Sequence, residues 1–183
     1  MINFPANEPP AEAYANQFTS PPGHVVLRWW VPGYPLMVGG NIQSVDDWNH
    51  LRDDFGITHV LDVEAGRSPV VILPPANFKK IEMVDNGMPM AAELLREAVT
   101  FARDALAVDG NRLMIHCHMG ASRSPAYAYA ILRSIYGRSH DEALVAINRG
   151  FPHADGYHWS YHQAQQAYVG AIDCWCDRGG LGP

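Results

Sequence analysis

The segment His116-Cys117-His118-Met119-Gly120-Ala121-Ser122-Arg123-Ser124 holds the residue types best suited to chemistry in this chain. A cysteine follows the apolar run Leu113-Met114-Ile115, which reads as a short buried strand. An arginine stands six positions later, where a new helix begins, and Pro125 is tolerated in that helix's first turn. A tight loop between strand and helix can turn several backbone N–H groups toward one centre, so that an anion is held by those groups and by the helix dipole. The same field favours a thiolate, which would make Cys117 a nucleophile. The planar guanidinium of Arg123 can meet two oxygens of a phosphate at once, a geometry lysine cannot offer. Gly120 lets the backbone turn closely around such a ligand. A lone cysteine on a buried strand is usually a small core hydrophobe. The arginine, the glycine and the strand–loop–helix setting favour the chemical reading here.

The elements that must position this loop are legible from pattern. Val25 to Val31 and Leu36-Met37-Val38 read as strands, Ile57 to Val63 as a buried strand and Phe78 to Val84 as another. Ser44-Val45-Asp46-Asp47 starts a helix that ends near Phe55-Gly56. From Met90 to Val108, Ala91, Leu94, Leu95, Ala98, Phe101, Ala102 and Ala105 recur at helical spacing. Ala126 to Tyr136 is apolar nearly all round, as a central buried helix should be. Ser139-His140-Asp141-Glu142 is a capping box for a helix ended by Gly150, and a last helix spans about Tyr157 to Trp175. Strands and helices alternate before helices take over, which predicts an α/β fold: a central, mostly parallel sheet with helices on both sides and a helix-rich C-terminal third. Residues 1–23, rich in Pro and Asn, read as an arm, and 24–183 as one domain.

Composition narrows the function classes. At 183 residues one core is enough without disulfide staples, and three cysteines form no disulfide framework. No apolar run approaches the length of a membrane-spanning helix, and the N-terminus lacks signal-peptide order, so cytoplasmic residence and no membrane partner are expected. A net charge of -6 weighs against nucleic acid, yet one electropositive pocket can still bind a phosphate ester. His116, Cys117 and His118 do not converge as metal ligands, because adjacent strand residues face opposite ways. Cys174-Trp175-Cys176 lacks zinc-knuckle spacing. Neither a metal nor a cofactor is expected. Trp29-Trp30, and Trp159 with Tyr157 and Tyr161, read as core aromatics rather than a substrate rim.

The loop matches the C-x5-R-[S/T] signature of the cysteine-dependent protein tyrosine phosphatase superfamily, and His116 with the Ser122-Arg123-Ser124 ending resembles its dual-specificity branch. Weaker similarity extends over about residues 36–168, including Gly56-Ile57-Thr58-His59-Val60-Leu61. The resemblance implies that Cys117 attacks phosphorus and forms a cysteinyl-phosphate intermediate. It implies that the N–H groups of His118, Met119, Gly120, Ala121, Ser122 and Arg123 bind the phosphate, with the Arg123 side chain completing the cradle. Ser124 would hydrogen-bond the Cys117 sulfur and help it leave, while His116 would fix the loop through a side-chain hydrogen bond. The family's general acid would be Asp85, 32 positions upstream of Cys117 on the Asp85-Asn86-Gly87-Met88-Pro89 loop, with Asp62, inside a strand, as the rival. Asn148-Arg149-Gly150-Phe151-Pro152 weakly resembles a stretch that buttresses the loop. The implied substrates are phosphorylated proteins, through phosphotyrosine and phosphoserine/threonine, or small phosphate esters, hydrolysed without metal. The loop lacks the lysines of phosphoinositide 3-phosphatases. A rhodanese-type sulfurtransferase and a non-catalytic phosphoprotein-binding module are the alternatives.

Overall fold

The apolar segments flanking residues 116–124 are too few to shield a sheet on one side only, and they sort onto two faces. A computed structural model describes residues 18–20, 24–66, 71–150 and 163–181. A hairpin of β1 (Phe18–Ser20) and β2 (His24–Val26) precedes the main sheet, whose strands are β3 (Arg28–Trp30), β4 (Leu36–Gly39), β5 (His59–Asp62), β6 (Phe78–Lys80) and β7 (Leu113–His116). Their spatial order is β3-β4-β7-β5-β6, antiparallel between β3 and β4 and parallel elsewhere. The last-formed strand in sequence, β7, is therefore central. In open parallel sheets, ligands bind beyond the carboxyl ends of such strands, and Cys117 stands at that end of β7.

One face is covered by α1 (Val45–Asp53), capped by Ser44, whose hydroxyl accepts from the Asp47 N–H at 3.1 Å. Trp48 and Leu51 of α1 pack with Trp30, Met37, Ile42, Ile57, Val60 and Met114. The other face carries α2 (Ala92–Leu106), α3 (Arg123–Ser134), α4 (His140–Gly150) and α5 (Gln163–Asp177), with α3 lying against α2, α4, α5, β4 and β7. Residues Arg123 to Leu132 are all buried, which explains why that helix shows no polar face. Each large apolar side chain so enclosed contributes about 1.5–3 kcal/mol. The capping box at α4 forms as expected: the Ser139 N–H donates to Glu142 at 2.8 Å, and the Glu142 N–H to the Ser139 hydroxyl at 3.3 Å. Among the described residues no helix is long and apolar enough to cross a membrane.

Three expectations change. The run Val25–Val31 divides at Leu27, and Phe18–Ser20, inside the expected arm, pairs with its first half. The β6 ladder ends at Lys80 rather than Val84, although Ile81 and Met83 still point into the core. The α2 stripe is centred on Leu95, Ala98, Val99, Ala102, Ala105 and Leu106, leaving Ala91 exposed at the N-cap. Trp29 and Trp30 are core residues, one on each face of the sheet, as expected. Tyr157, Trp159, Tyr161, Phe151 and Pro152 lie outside the described residues.

Candidate active site

The division at Leu27 has a physical cause. Its backbone leaves the ladder to serve the catalytic loop: the Leu27 N–H donates to the Met119 carbonyl at 3.2 Å, and its own carbonyl accepts from Gly40 at 2.9 Å. The Asn41 N–H donates to the His118 carbonyl at 3.0 Å. A trans peptide holds its C=O and N–H on opposite sides. Tying these two carbonyls to the β3–β4 end therefore directs the N–H groups of Met119 and Gly120 away from it, toward the inside of the loop. Gly120 has φ +84°, and a Cβ there would lie 2.7 Å from Gly39 C, Gly40 N and Leu27 O. Both the conformation and the space demand glycine. Below this platform, Arg28 bonds the Asn41 carbonyl at 2.9 Å and is paired with Asp47 of α1. Burial opposes the charged form of Asp47, but the hydrogen bond and charge of Arg28 outweigh it and hold the carboxyl below its usual range.

Cys117 is buried at the end of β7, its N–H bonded to Gly39 O at 3.1 Å. Its sulfur lies 3.3 Å from the Ser124 hydroxyl, which also reaches the Gly39 carbonyl at 3.0 Å. Ser124 has a single proton. While Gly39 takes it, the thiol can only donate to Ser124 Oγ; a thiolate requires that proton to swing onto sulfur. Arg123 opens α3 and is almost buried, with Nη1 donating to Met83 O at 2.9 Å and Nε 3.4 Å from Asp85 Oδ2. His118 and Met119 are exposed at the mouth, and Ala121 and Ser122 are half-buried.

Asp85 reaches the loop although 32 residues separate it from Cys117. Its Oδ1 accepts from the Ser122 hydroxyl at 2.9 Å and from the Tyr168 hydroxyl at 2.8 Å. Tyr168 also accepts from the Gly87 N–H at 3.3 Å, so one phenol on α5 holds both the acid and its loop. Burial, then the neighbouring Asp85, pushes the Tyr168 phenol up, which keeps it a donor. The helical periodicity of α5 had marked Tyr168 only as core; nothing local in the chain signals a partner 83 positions away.

Asp62, the rival, is fully buried at the end of β5 and in register with His116, so it faces away from the side taken by Cys117. Burial pushes its carboxyl up, against the pull of the Glu64 N–H and Lys80. His116 and Arg149 are the supporting residues expected from the sequence. The His116 ring is fully buried against the Cys117 backbone, which favours its protonated form, but burial outweighs that and drives the ring down to about 3. Arg149 is exposed at the end of α4. The support that pattern reading missed comes from Leu27, Asn41, Ser122 and Tyr168.

No family model matches the chain. It is 34% identical over 105 residues to mouse dual specificity protein phosphatase 13B, covering 54% of this chain and 52% of that protein. It is 25% identical over 139 residues to zebrafish (Danio rerio) dual specificity protein phosphatase 22-A, covering 74% of this chain and 65% of that protein. The chain thus spans about half to two thirds of the length of these curated relatives. Human DUSP28 shares the fold, with a TM-score of 0.60 at 19% identity, covering 87% of this chain and 99% of that structure. The chain is thus similar in sequence to dual specificity protein phosphatases and shares the fold of the tyrosine-phosphatase-like structures.

Proposed function

We propose that this protein is a phosphomonoester hydrolase acting through a cysteinyl-phosphate, with phosphorylated protein side chains, phosphotyrosine first among them, as substrates. The observation that carries the proposal is the seating of the Asp85 carboxylate on the loop of Cys117 and Arg123, held by Ser122 and Tyr168. A thiolate, a guanidinium and a carboxyl acid, with the loop N–H groups, Ser124 and a water, account for both steps.

In the first step the Cys117 sulfur attacks phosphorus and the P–O ester bond breaks. The leaving oxygen takes its proton from Asp85. The loop N–H groups and Arg123 hold the equatorial oxygens as charge develops. In the second step water attacks the phosphoryl group, Asp85 takes a proton from it, and the P–S bond breaks with the electron pair left on sulfur. The Ser124 proton then moves from Gly39 O to that sulfur. A phosphate dianion in the loop gives Arg123 a new partner beside Asp85. Exposed Val84, Met88 and Met119 border the entrance, a surface suited to the apolar ring and flanking residues of a phosphotyrosine peptide. A thiol nucleophile also fits the reducing cytoplasm, which this proposal includes.

The test is rapid-quench hydrolysis of a phosphotyrosine peptide. The wild-type chain should release phosphate; with an activated aryl phosphate, whose leaving group barely needs the proton, Asp85→Ala should accumulate phosphoenzyme at Cys117, and Cys117→Ser should do neither. Turnover of thiosulfate without phosphate release would instead identify a sulfurtransferase. Peptide binding without phosphoenzyme in any variant would identify a binding module.

A further inference from the structure

The carboxyl ends of β5 and β7 carry a second group of side chains, on the face of the sheet opposite Cys117. Asp62 and His116 are register partners, and alternation places Glu64 and His118 one step further along the same side. Asp62 Oδ1 lies 3.8 Å from His116 Nε2. One carboxylate oxygen of Asp62, one of Glu64 and one ring nitrogen of His116 all fall within 4.8 Å of one another, and all three residues are buried.

From these side chains we infer a binding site for a zinc-type divalent cation, formed by His116, Asp62 and Glu64. Three observations carry the inference. First, Nε2 of His116, the ring nitrogen that faces Asp62, and Oε2 of Glu64 are buried without a hydrogen-bond partner. Polar atoms of native interiors are rarely left so, because each costs about 1–3 kcal/mol. Second, each carboxylate is held from outside by its other oxygen. Lys80 Nζ lies 3.3 Å from Asp62 Oδ2, and His118 Nδ1 lies 3.0 Å from Glu64 Oε1. Such outer partners are what orient ligating carboxylates in metal sites. Asp62 Oδ1 meanwhile accepts the Glu64 N–H at 2.9 Å, which ties the two acids into one turn. Third, two carboxylates face one lysine there, while Arg28 and Asp47 nearby offset each other. A dication there would meet two carboxylate groups and an imidazole nitrogen.

One imidazole nitrogen and two carboxylate oxygens are a donor set for zinc rather than for calcium or magnesium, which prefer oxygen alone. A tetrahedral zinc sets its ligand atoms about 3.4 Å apart, so the widest pair needs to close by about 1.5 Å. Glu64 lies just after β5, outside the ladder. The site lies across the strand from the phosphate cradle, so it is distinct from the chemistry proposed above and does not depend on it. Occupation would tie β5 to β7 where Cys117 leaves the sheet.

The experiment titrates zinc into the full chain with Cys117, Cys174 and Cys176 replaced by serine, so that no thiol competes, using a chromogenic chelator as reporter. One zinc per chain should bind with micromolar or tighter affinity, and Glu64→Gln, which keeps the shape of the side chain, should weaken it at least about tenfold. Cobalt in place of zinc should show the visible absorption of a tetrahedral site in the parent but not in the variant. Absence of binding at about 100 µM metal, or a Glu64→Gln chain that loses less than about tenfold, would overturn the assignment. So would a parent cobalt spectrum of octahedral type, which needs no comparison with a variant.

Discussion

Two loops meet at the candidate active site, and they are held in different ways. The 117–124 loop is tied mainly by backbone: Leu27 and Asn41 bond its carbonyls and Gly120 sits against Gly39 and Gly40, with the Ser124 hydroxyl adding one bond to Gly39 O. The segment carrying Asp85 is tied by side chains alone at its tip, through Tyr168, Ser122 and Arg123, while Val84 and Met88 stand exposed. Backbone ties fix a cradle whose shape must not change during the reaction. Side-chain ties let an acid approach and withdraw. On the proposed function, one fold would thereby build an anion site held by backbone and a proton donor held by side chains from neighbouring strand ends.

Asp85→Asn should have the largest consequence for the movable partner. On an ester with a poor leaving group, turnover should fall 10²–10⁴-fold, about 3–5 kcal/mol of barrier, with much less loss on an activated aryl ester. Phosphate affinity should stay near the parent's. Equal losses on both esters would move the acid elsewhere.

Gly120→Ala tests the rigid partner. The added Cβ meets three backbone atoms at 2.7 Å at a positive φ, so stability should drop by about 2–4 kcal/mol. Thermal unfolding and vanadate binding should both deteriorate. A variant that keeps both would mean that the loop is softer than its ties suggest.

Tyr168→Phe removes only the hydroxyl that links the acid to α5. With a net hydrogen bond to a charged group contributing about 1.5–3 kcal/mol, turnover of the poor-leaving-group ester should fall about tenfold. Vanadate affinity and the activated ester should change little. A variant equally slow on both esters would show Tyr168 to be a packing residue only.

The smallest effect is expected beneath the platform. Asp47→Asn leaves Arg28 without its counter-charge and should cost about 1 kcal/mol or somewhat more at neutral pH. Because pairing with Arg28 lowers the folded Asp47 carboxyl below its free value of 3.8, the parent's advantage should be complete above that value and lost as pH falls through the lower one. Denaturant melts of the two proteins from pH 7 down to pH 2 check it. A difference that persists at the acid end would point to packing rather than charge.

Local chemistry was enough to read the helix starts at Ser44 and Ser139, the buried stripe of α2 and the loop from Cys117 to Ser124, since each depends on residues within a turn or two of one another. The C-x5-R spacing, with the strand before it and the helix after it, likewise pointed to the nucleophile and anion site of the proposed function. What only the tertiary structure decided is everything that crosses between segments. The break at Leu27 exists because the loop takes its amide, and Val25–Val31 carries no mark of that demand. Tyr168 reads as one more apolar position on α5 until the packing of α5 brings its hydroxyl to Asp85. The parallel register of β5 against β7 sets His116 beside Asp62, and just past the ladder His118 meets Glu64. Side-chain spacing along one strand follows from covalent geometry, whereas the neighbour across the sheet is chosen by the burial of both faces at once.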